Sequence, residues 1–250
     1  WLEAPNMIKK LGITLLLLFI FTGSLLAGYM GFAYWKGEAS NLDFMKKLSF
    51  STEAFDSETT KRLKDFQKVN SDVKLWLEIG DIALSEPLVQ TTDNEYYLTH
   101  DAKKTENRDG ALFIDYEVML SKDGADNIII YGHNNENHKA FSDIVKYTDE
   151  KFFSNSHNIV ITTERGKQLV YEPILLAHID IDQGNFFPYH TWINWSTEKN
   201  AAVYYEKLGA YAVMDKKVRV GDSTRLLTLS TCDNALNNAR YILVARNVKG

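Results

Sequence analysis

Only one cysteine occurs in 250 residues. That excludes an internal disulfide, a CxxC redox pair and a cysteine-rich zinc module. The lone thiol is either an inert core side chain or a reactive group. Prolines number 4 and glycines 14, too few for long disordered or low-complexity segments. No internal repeat and no arginine- or lysine-rich stripe is present. The net charge is -5, and residues 1–36, with three lysines against Glu3, carry +2 of it. The remaining 214 residues therefore carry -7. An acidic body of this kind argues against nucleic acid as a partner.

What the chain does have is ordinary globular composition, 45% hydrophobic and 24% charged, plus one long apolar run. From Leu11 to Trp35 no residue is charged. As a helix rising 1.5 Å per residue, this run spans a hydrocarbon core of about 30 Å. Lys9 and Lys10 precede it, and Tyr29, Tyr34 and Trp35 gather at its far end, as interfacial aromatics do. The expectation is a single-pass anchor in the cell membrane with a cytoplasmic N-terminus and everything beyond it outside. A cleaved signal peptide is the rival reading, but its apolar region is normally shorter. The expected organisation is 1–10 cytoplasmic, 11–35 transmembrane, 36–51 a tether and 52–250 an extracellular domain.

Within the outer part, Phe55, Leu63, Phe66 and Val69 recur at helical spacing over 52–70. After Val73 the pattern changes to short β-rich runs: 75–79, 87–90, 111–114, 127–131, 158–163, 168–178, 210–213, 225–229 and 240–248. Helical pieces are expected at 139–147 and 197–208. Many short strands separated by turn residues predict a mainly β fold, a closed or nearly closed barrel with helical additions, rather than βαβ units.

Three segments carry chemistry. The apolar strand Ile128-Ile129-Ile130-Tyr131 ends at Gly132-His133 and delivers an imidazole to a loop. Leu227-Thr228-Leu229-Ser230-Thr231-Cys232-Asp233 brings the only thiol to a strand end. Arg240 opens the next apolar strand eight residues later, so a returning antiparallel strand sets it near Cys232. A thiolate nucleophile, an imidazole acid/base and an arginine that steadies an oxyanion are the groups acyl transfer needs. The negative charge of Asp233 works against the thiolate, leaving its stabilisation to His133 and Arg240.

In these motifs, TLSTC with a downstream arginine and an upstream Tyr-Gly-His, the chain resembles the sortases, and class B among them, over roughly residues 52–250. The resemblance implies an eight-stranded β-barrel preceded by an N-terminal helical segment. It implies Cys232 as the nucleophile of a thioacyl intermediate, His133 as general acid/base and Arg240 as substrate and oxyanion support. Asn94-Glu95-Tyr96-Tyr97-Leu98 matches a groove segment of class B, so Asn94 and Leu98 are candidate substrate contacts, with Ser230 and Asp233 beside the cysteine. The implied partners are secreted proteins bearing a C-terminal sorting motif, of the Asn-Pro-x-Thr-x kind in class B, and an amine of peptidoglycan or a pilin lysine in a Gram-positive envelope. The implied chemistry requires no cofactor and no metal. The segment 178–195 is unusually aromatic, with Phe186, Phe187, Tyr189, Trp192 and Trp195. It either packs a long loop against the barrel or contributes to substrate binding.

Rival readings fit less well. His133 and His138 are five residues apart with Glu136 between them, so one helical face cannot present both to a metal. In papain-like cell-wall peptidases the cysteine precedes the histidine, whereas here His133 comes first. A membrane-anchored binding module on a sortase-like barrel predicts a buried, inert Cys232.

Overall fold

The computed structural model describes residues 58–121, 124–134, 141–181, 186–232 and 239–248, with Cys232 described by its backbone alone. The expected membrane span at 11–35, the tether and residues 52–57 lie outside the described residues. Among those described, no helix is long and apolar enough to cross a membrane.

All nine expected β runs form strands: β1 (Val73–Ile79), β2 (Leu84–Val89), β3 (Phe113–Ile114), β4 (Asn127–Gly132), β5 (Ile159–Thr163), β6 (Gln168–Asp180), β7 (Ala212–Asp215), β8 (Leu226–Cys232) and β9 (Ala239–Asn247). They lie in one sheet in the order β5-β1-β2-β3-β4-β8-β9-β6-β7. A further pairing of β5 with β6 closes the ring. Eight strands thus make the barrel, and β7 hangs on the outside of β6. Closure removes the unpaired edges that an open sheet would expose. The eight-stranded barrel expected from the motifs is the architecture found.

Helical elements decorate the barrel. The first, α1, occupies 58–69, α2 is Glu150–Ser154 and α3 is Ala201–Gly209. The helix expected over 139–147 is a 3-10 segment, Ser142–Thr148. The one expected from 197 begins at Ala201, because the Asn200 side chain caps it by accepting from the Val203 N–H at 3.0 Å.

Among the described residues three apolar clusters result. The barrel interior holds Ile128, Ile130, Leu227, Leu229 and Leu243. Outside it, α3 and the aromatic segment pack as a second cluster of Tyr189, Trp192, Tyr204 and Leu208. The aromatic-rich stretch therefore covers the sheet, with Trp192, Trp195 and Phe187 each in ring contact with Tyr204. Buried Asn127 ties it down, donating to the Trp192 carbonyl at 2.9 Å and accepting from Thr228 Oγ1 at 2.9 Å. A third cluster puts Leu63 of α1 against Val73, Trp76, Tyr97 and Phe113.

That third cluster holds the long connection between β2 and β3. Asn70, just past α1, donates to the Tyr97 hydroxyl at 2.7 Å and to the Ala102 carbonyl at 3.0 Å. Tyr97 in turn donates to Asp72 at 3.0 Å, and Lys104 pairs with the same carboxylate oxygen at 2.9 Å. Burial pushes the Asp72 carboxyl up, but the Lys104 and Tyr97 hydrogen bonds outweigh it, and the net position is below the usual carboxylate range. A carboxyl depressed in the folded state adds stability above its unfolded pKa of about 3.9, and loses it as pH falls through the folded value. Asp72→Asn should therefore lower the urea-derived stability by about 1 kcal/mol at pH 7. The difference from wild type should shrink steadily below about pH 4. A penalty that stayed constant down to pH 2 would exclude this ionic contribution.

Candidate active site

Strand register assembles the site. β4 and β8 run parallel, with Asn127 opposite Leu226 and, five steps on, Gly132 opposite Thr231. The next step along both chains is His133 and Cys232. On the other side of β8, antiparallel β9 sets Arg240 opposite Cys232. Cys232 and Arg240 thus stand at one level, and His133, the first residue past β4, carries the neighbouring chain on to that level, with strands spaced about 4.8 Å apart.

Local packing fixes the histidine. The Phe141 N–H donates to the His133 carbonyl at 3.0 Å, returning the chain immediately after the site. His133 Nε2 lies 2.8 Å from the Leu98 carbonyl oxygen. A carbonyl only accepts, so this contact places a proton on Nε2 and leaves Nδ1 as the nitrogen that exchanges one in the neutral ring. Two glycines make the fit possible. A Cβ at Gly110, whose φ is +62°, would lie 2.6 Å from the Tyr97 carbonyl oxygen and 3.0 Å from the His133 ring. A Cβ at Gly132 would lie 2.5 Å from Leu112 and 2.8 Å from Phe141.

A cleft of about 310 Å³ opens over this level, lined by Asn94, Leu98, Tyr131, His133, Tyr189, His190, Ser230 and Arg240 among others. The family described as Sortase domain matches residues 77–248. The chain belongs to the sortase family. Sortase B of Listeria monocytogenes is 32% identical over 190 residues, covering 73% of this chain and 72% of that protein. Sortase B of Staphylococcus aureus is 22% identical over 217 residues, 86% of each. The crystal structure of Clostridium perfringens sortase B superposes with a TM-score of 0.65 at 26% identity, covering 74% of this chain and 99% of that one. The chain is accordingly a class B sortase, a cysteine transpeptidase.

The remaining walls of this sortase's cleft are set by buried hydrogen bonds. Ser230, 2% exposed, shares a 2.8 Å bond with the Tyr189 hydroxyl. Its hydroxyl is thereby engaged from the aromatic segment, which is how that segment reaches the site. Tyr131 donates to Asp115 Oδ2 at 2.9 Å, and Asn94 Nδ2 donates to the same oxygen at 3.0 Å. Burial, then the Asp115 charge, drives the Tyr131 phenol far above its ordinary pKa, so it remains a donor.

Of the residues named from sequence, His133, Arg240, Asn94, Leu98 and Ser230 line the cleft together. Arg240 is half-buried, and its Nη1 donates to the Ala239 carbonyl at 3.0 Å. Cys232 is placed through its backbone pairing, and Asp233 lies outside the described residues. Tyr131, His190 and Asp115 were not anticipated. Strand alternation held the signal for Tyr131, which precedes His133 by two residues and so shares its face. Nothing local marks Asp115 as part of the site, since its partners on the cleft wall, Tyr131 and Asn94, are 16 and 21 residues away.

Two outcomes follow for stability. Gly132→Ala overpacks the wall behind His133 and should cost about 1–3 kcal/mol in chemical denaturation, with a matching loss of activity. Full stability and activity in that variant would show that Leu112 and Phe141 yield freely. Tyr189→Phe strands the Ser230 hydroxyl and should cost about 1–3 kcal/mol. Adding Ser230→Ala should recover part of it, because the stranded group is gone; simple additivity would contradict the pairing.

Proposed function

We propose that this sortase cleaves a C-terminal sorting motif of secreted proteins and transfers them to an amine on the cell surface. The single observation that supports this reading most is the shared level of His133, Cys232 and Arg240 across β4, β8 and β9. The Cys232 thiolate attacks the carbonyl between the last two residues of the motif. The negative charge that develops on that oxygen is met by the fixed donors of Arg240. His133 gives a proton to the departing amine as the peptide bond breaks, leaving a thioester between Cys232 and the shortened substrate. An incoming amine, from peptidoglycan or a pilin lysine, loses its proton to His133 and attacks the thioester. A new amide forms and the thiolate is released. No cofactor enters these steps.

The cleft suits an extended peptide carrying amide groups. Asn94 offers amide hydrogen bonding, Leu98 an apolar contact and Tyr189 an aromatic wall. Motifs of the Asn-Pro-x-Thr-x kind match this mixture. The uncharged run Leu11–Trp35 supports a membrane anchor that holds the catalytic domain on the outer face, where exported substrates and cell-wall amines meet.

The test is to incubate the full chain in detergent with fluorogenic sorting-motif peptides, with and without an amine acceptor. Cleavage should fall more than about a thousandfold in Cys232→Ala and about a hundredfold or more in Arg240→Ala. The acceptor should divert the product from acid to amide. Undiminished cleavage by Cys232→Ala would sink the assignment of the nucleophile.

A further inference from the structure

Asp115 lies at the end of β3 and is 3% exposed. It is not itself one of the residues that line the cleft, yet three donors converge on its two oxygens. Oδ1 accepts from the Glu117 N–H at 2.9 Å. Oδ2 accepts from Tyr131 at 2.9 Å and from Asn94 Nδ2 at 3.0 Å. Its backbone is equally fixed: the Asp115 N–H donates to the Ile129 carbonyl at 2.9 Å, and its own carbonyl accepts from Gln90 Nε2 at 2.9 Å. The carboxylate is therefore a rigid acceptor aimed at the back of the cleft.

Its effect on Asn94 is directional. An asparagine amide has a donor end and an acceptor end of nearly equal shape, and only its surroundings choose between the two orientations. Here both ends are chosen. Asn94 Oδ1 accepts from the Tyr116 N–H at 3.0 Å, while Nδ2 faces the Asp115 carboxylate. Flipping the amide would set its oxygen against a carboxylate and its nitrogen against a backbone N–H, losing both bonds. One N–H and one oxygen lone pair of Asn94 remain to be offered to a ligand, each in a fixed direction. We propose that Asp115 is a positioning residue for substrate. It acts through Asn94, locking the amide so that an N–H donor is presented to a carbonyl of the bound sorting peptide. This rests on the transpeptidase reading above and adds to it the group that sets polarity at that wall.

The decisive comparison is a swap. In Asp115→Asn, the new amide keeps its oxygen for Glu117 and turns a donor toward Asn94, so the two amides oppose each other. In the double variant Asp115→Asn with Asn94→Asp, the bond between the two residues is restored with its direction reversed. The Tyr116 N–H still finds an acceptor. The cleft, however, now receives a carboxylate oxygen where the N–H donor stood. A merely structural Asp115 predicts that Asp115→Asn lowers stability and leaves peptide binding unchanged. A positioning Asp115 predicts that Asp115→Asn weakens binding as well, and that the swap repairs stability alone.

The measurement uses the full chain in detergent, in a Cys232→Ala background so that binding is read without turnover. The probe is a fluorescein-labelled Asn-Pro-x-Thr-x peptide, the best cleaved of the panel, and Kd is followed by anisotropy beside the thermal midpoint. Asp115→Asn should weaken binding about tenfold and lower the midpoint. The swap should return the midpoint to within a few degrees of the parent while Kd stays about tenfold weak. In the Cys232-containing enzyme the same changes should raise KM more than they lower kcat. Restored affinity in the swap, or an unchanged Kd in Asp115→Asn, would overturn the positioning role and leave the transpeptidase reading intact. A wild-type chain that cleaves no peptide of the panel would overturn that reading instead, and this inference with it.

Discussion

The parallel pairing of β4 with β8 in a single register is the constraint on which the rest of the structure depends. Its offset of 99 residues is the separation between His133 and Cys232 in the chain. A slip of one residue would turn every side chain of a strand to the opposite face. The register is therefore held by the barrel's own core. Ile128 and Ile130 on β4, and Leu227 and Leu229 on β8, are all fully buried. Residues chosen for burial thus determine which imidazole stands beside the cysteine. The uninterrupted Ile128-Ile129-Ile130 run is also what a parallel strand covered on both faces requires.

Around that row, two separate packing units bring in the walls. One is α1 with Asn70 and Tyr97, which anchors the β2–β3 connection and so sets Asn94, Leu98 and the carbonyl that bonds His133. The other is α3 with its aromatic cluster, which holds Tyr189 against Ser230. The cleft lies where these units meet the open end of the barrel. Ser230, Tyr131 and Asn94 are consequently held from behind by the buried Tyr189 and Asp115. Such support from buried partners keeps a binding surface in one geometry before substrate arrives.

Much of this was readable from the chain alone. Nine β runs were visible as short apolar or β-branched segments between turns, and all nine are strands. The class of chemistry was readable because its groups sit at strand ends in recognisable local motifs. Less was readable where the determinant is not local. The 139–147 pattern looked like an ordinary helix, yet the chain forms a tighter 3-10 segment there, beginning at Ser142 as it returns from the Phe141–His133 contact. The aromatics of 186–195 had two meanings in the sequence, packing or binding. The structure divides them, with Trp192 buried and Trp195 half-buried against Tyr204, and Tyr189 reaching the cleft.

By itself, then, the sequence determined the barrel class, the acyl-transfer residue types and their placement at strand ends, because periodicity and turn chemistry act over a few residues. Only tertiary structure decided which strand lies beside which, and therefore that positions 133, 232 and 240 share one level. It alone decided that Asp115 stands behind Asn94 and Tyr131, and that the Leu98 carbonyl selects the proton position on His133. The physical reason is one of range. A hydrogen bond or a packed contact forms between whatever groups the fold brings within a few ångströms, and separation along the chain does not reveal which groups those are.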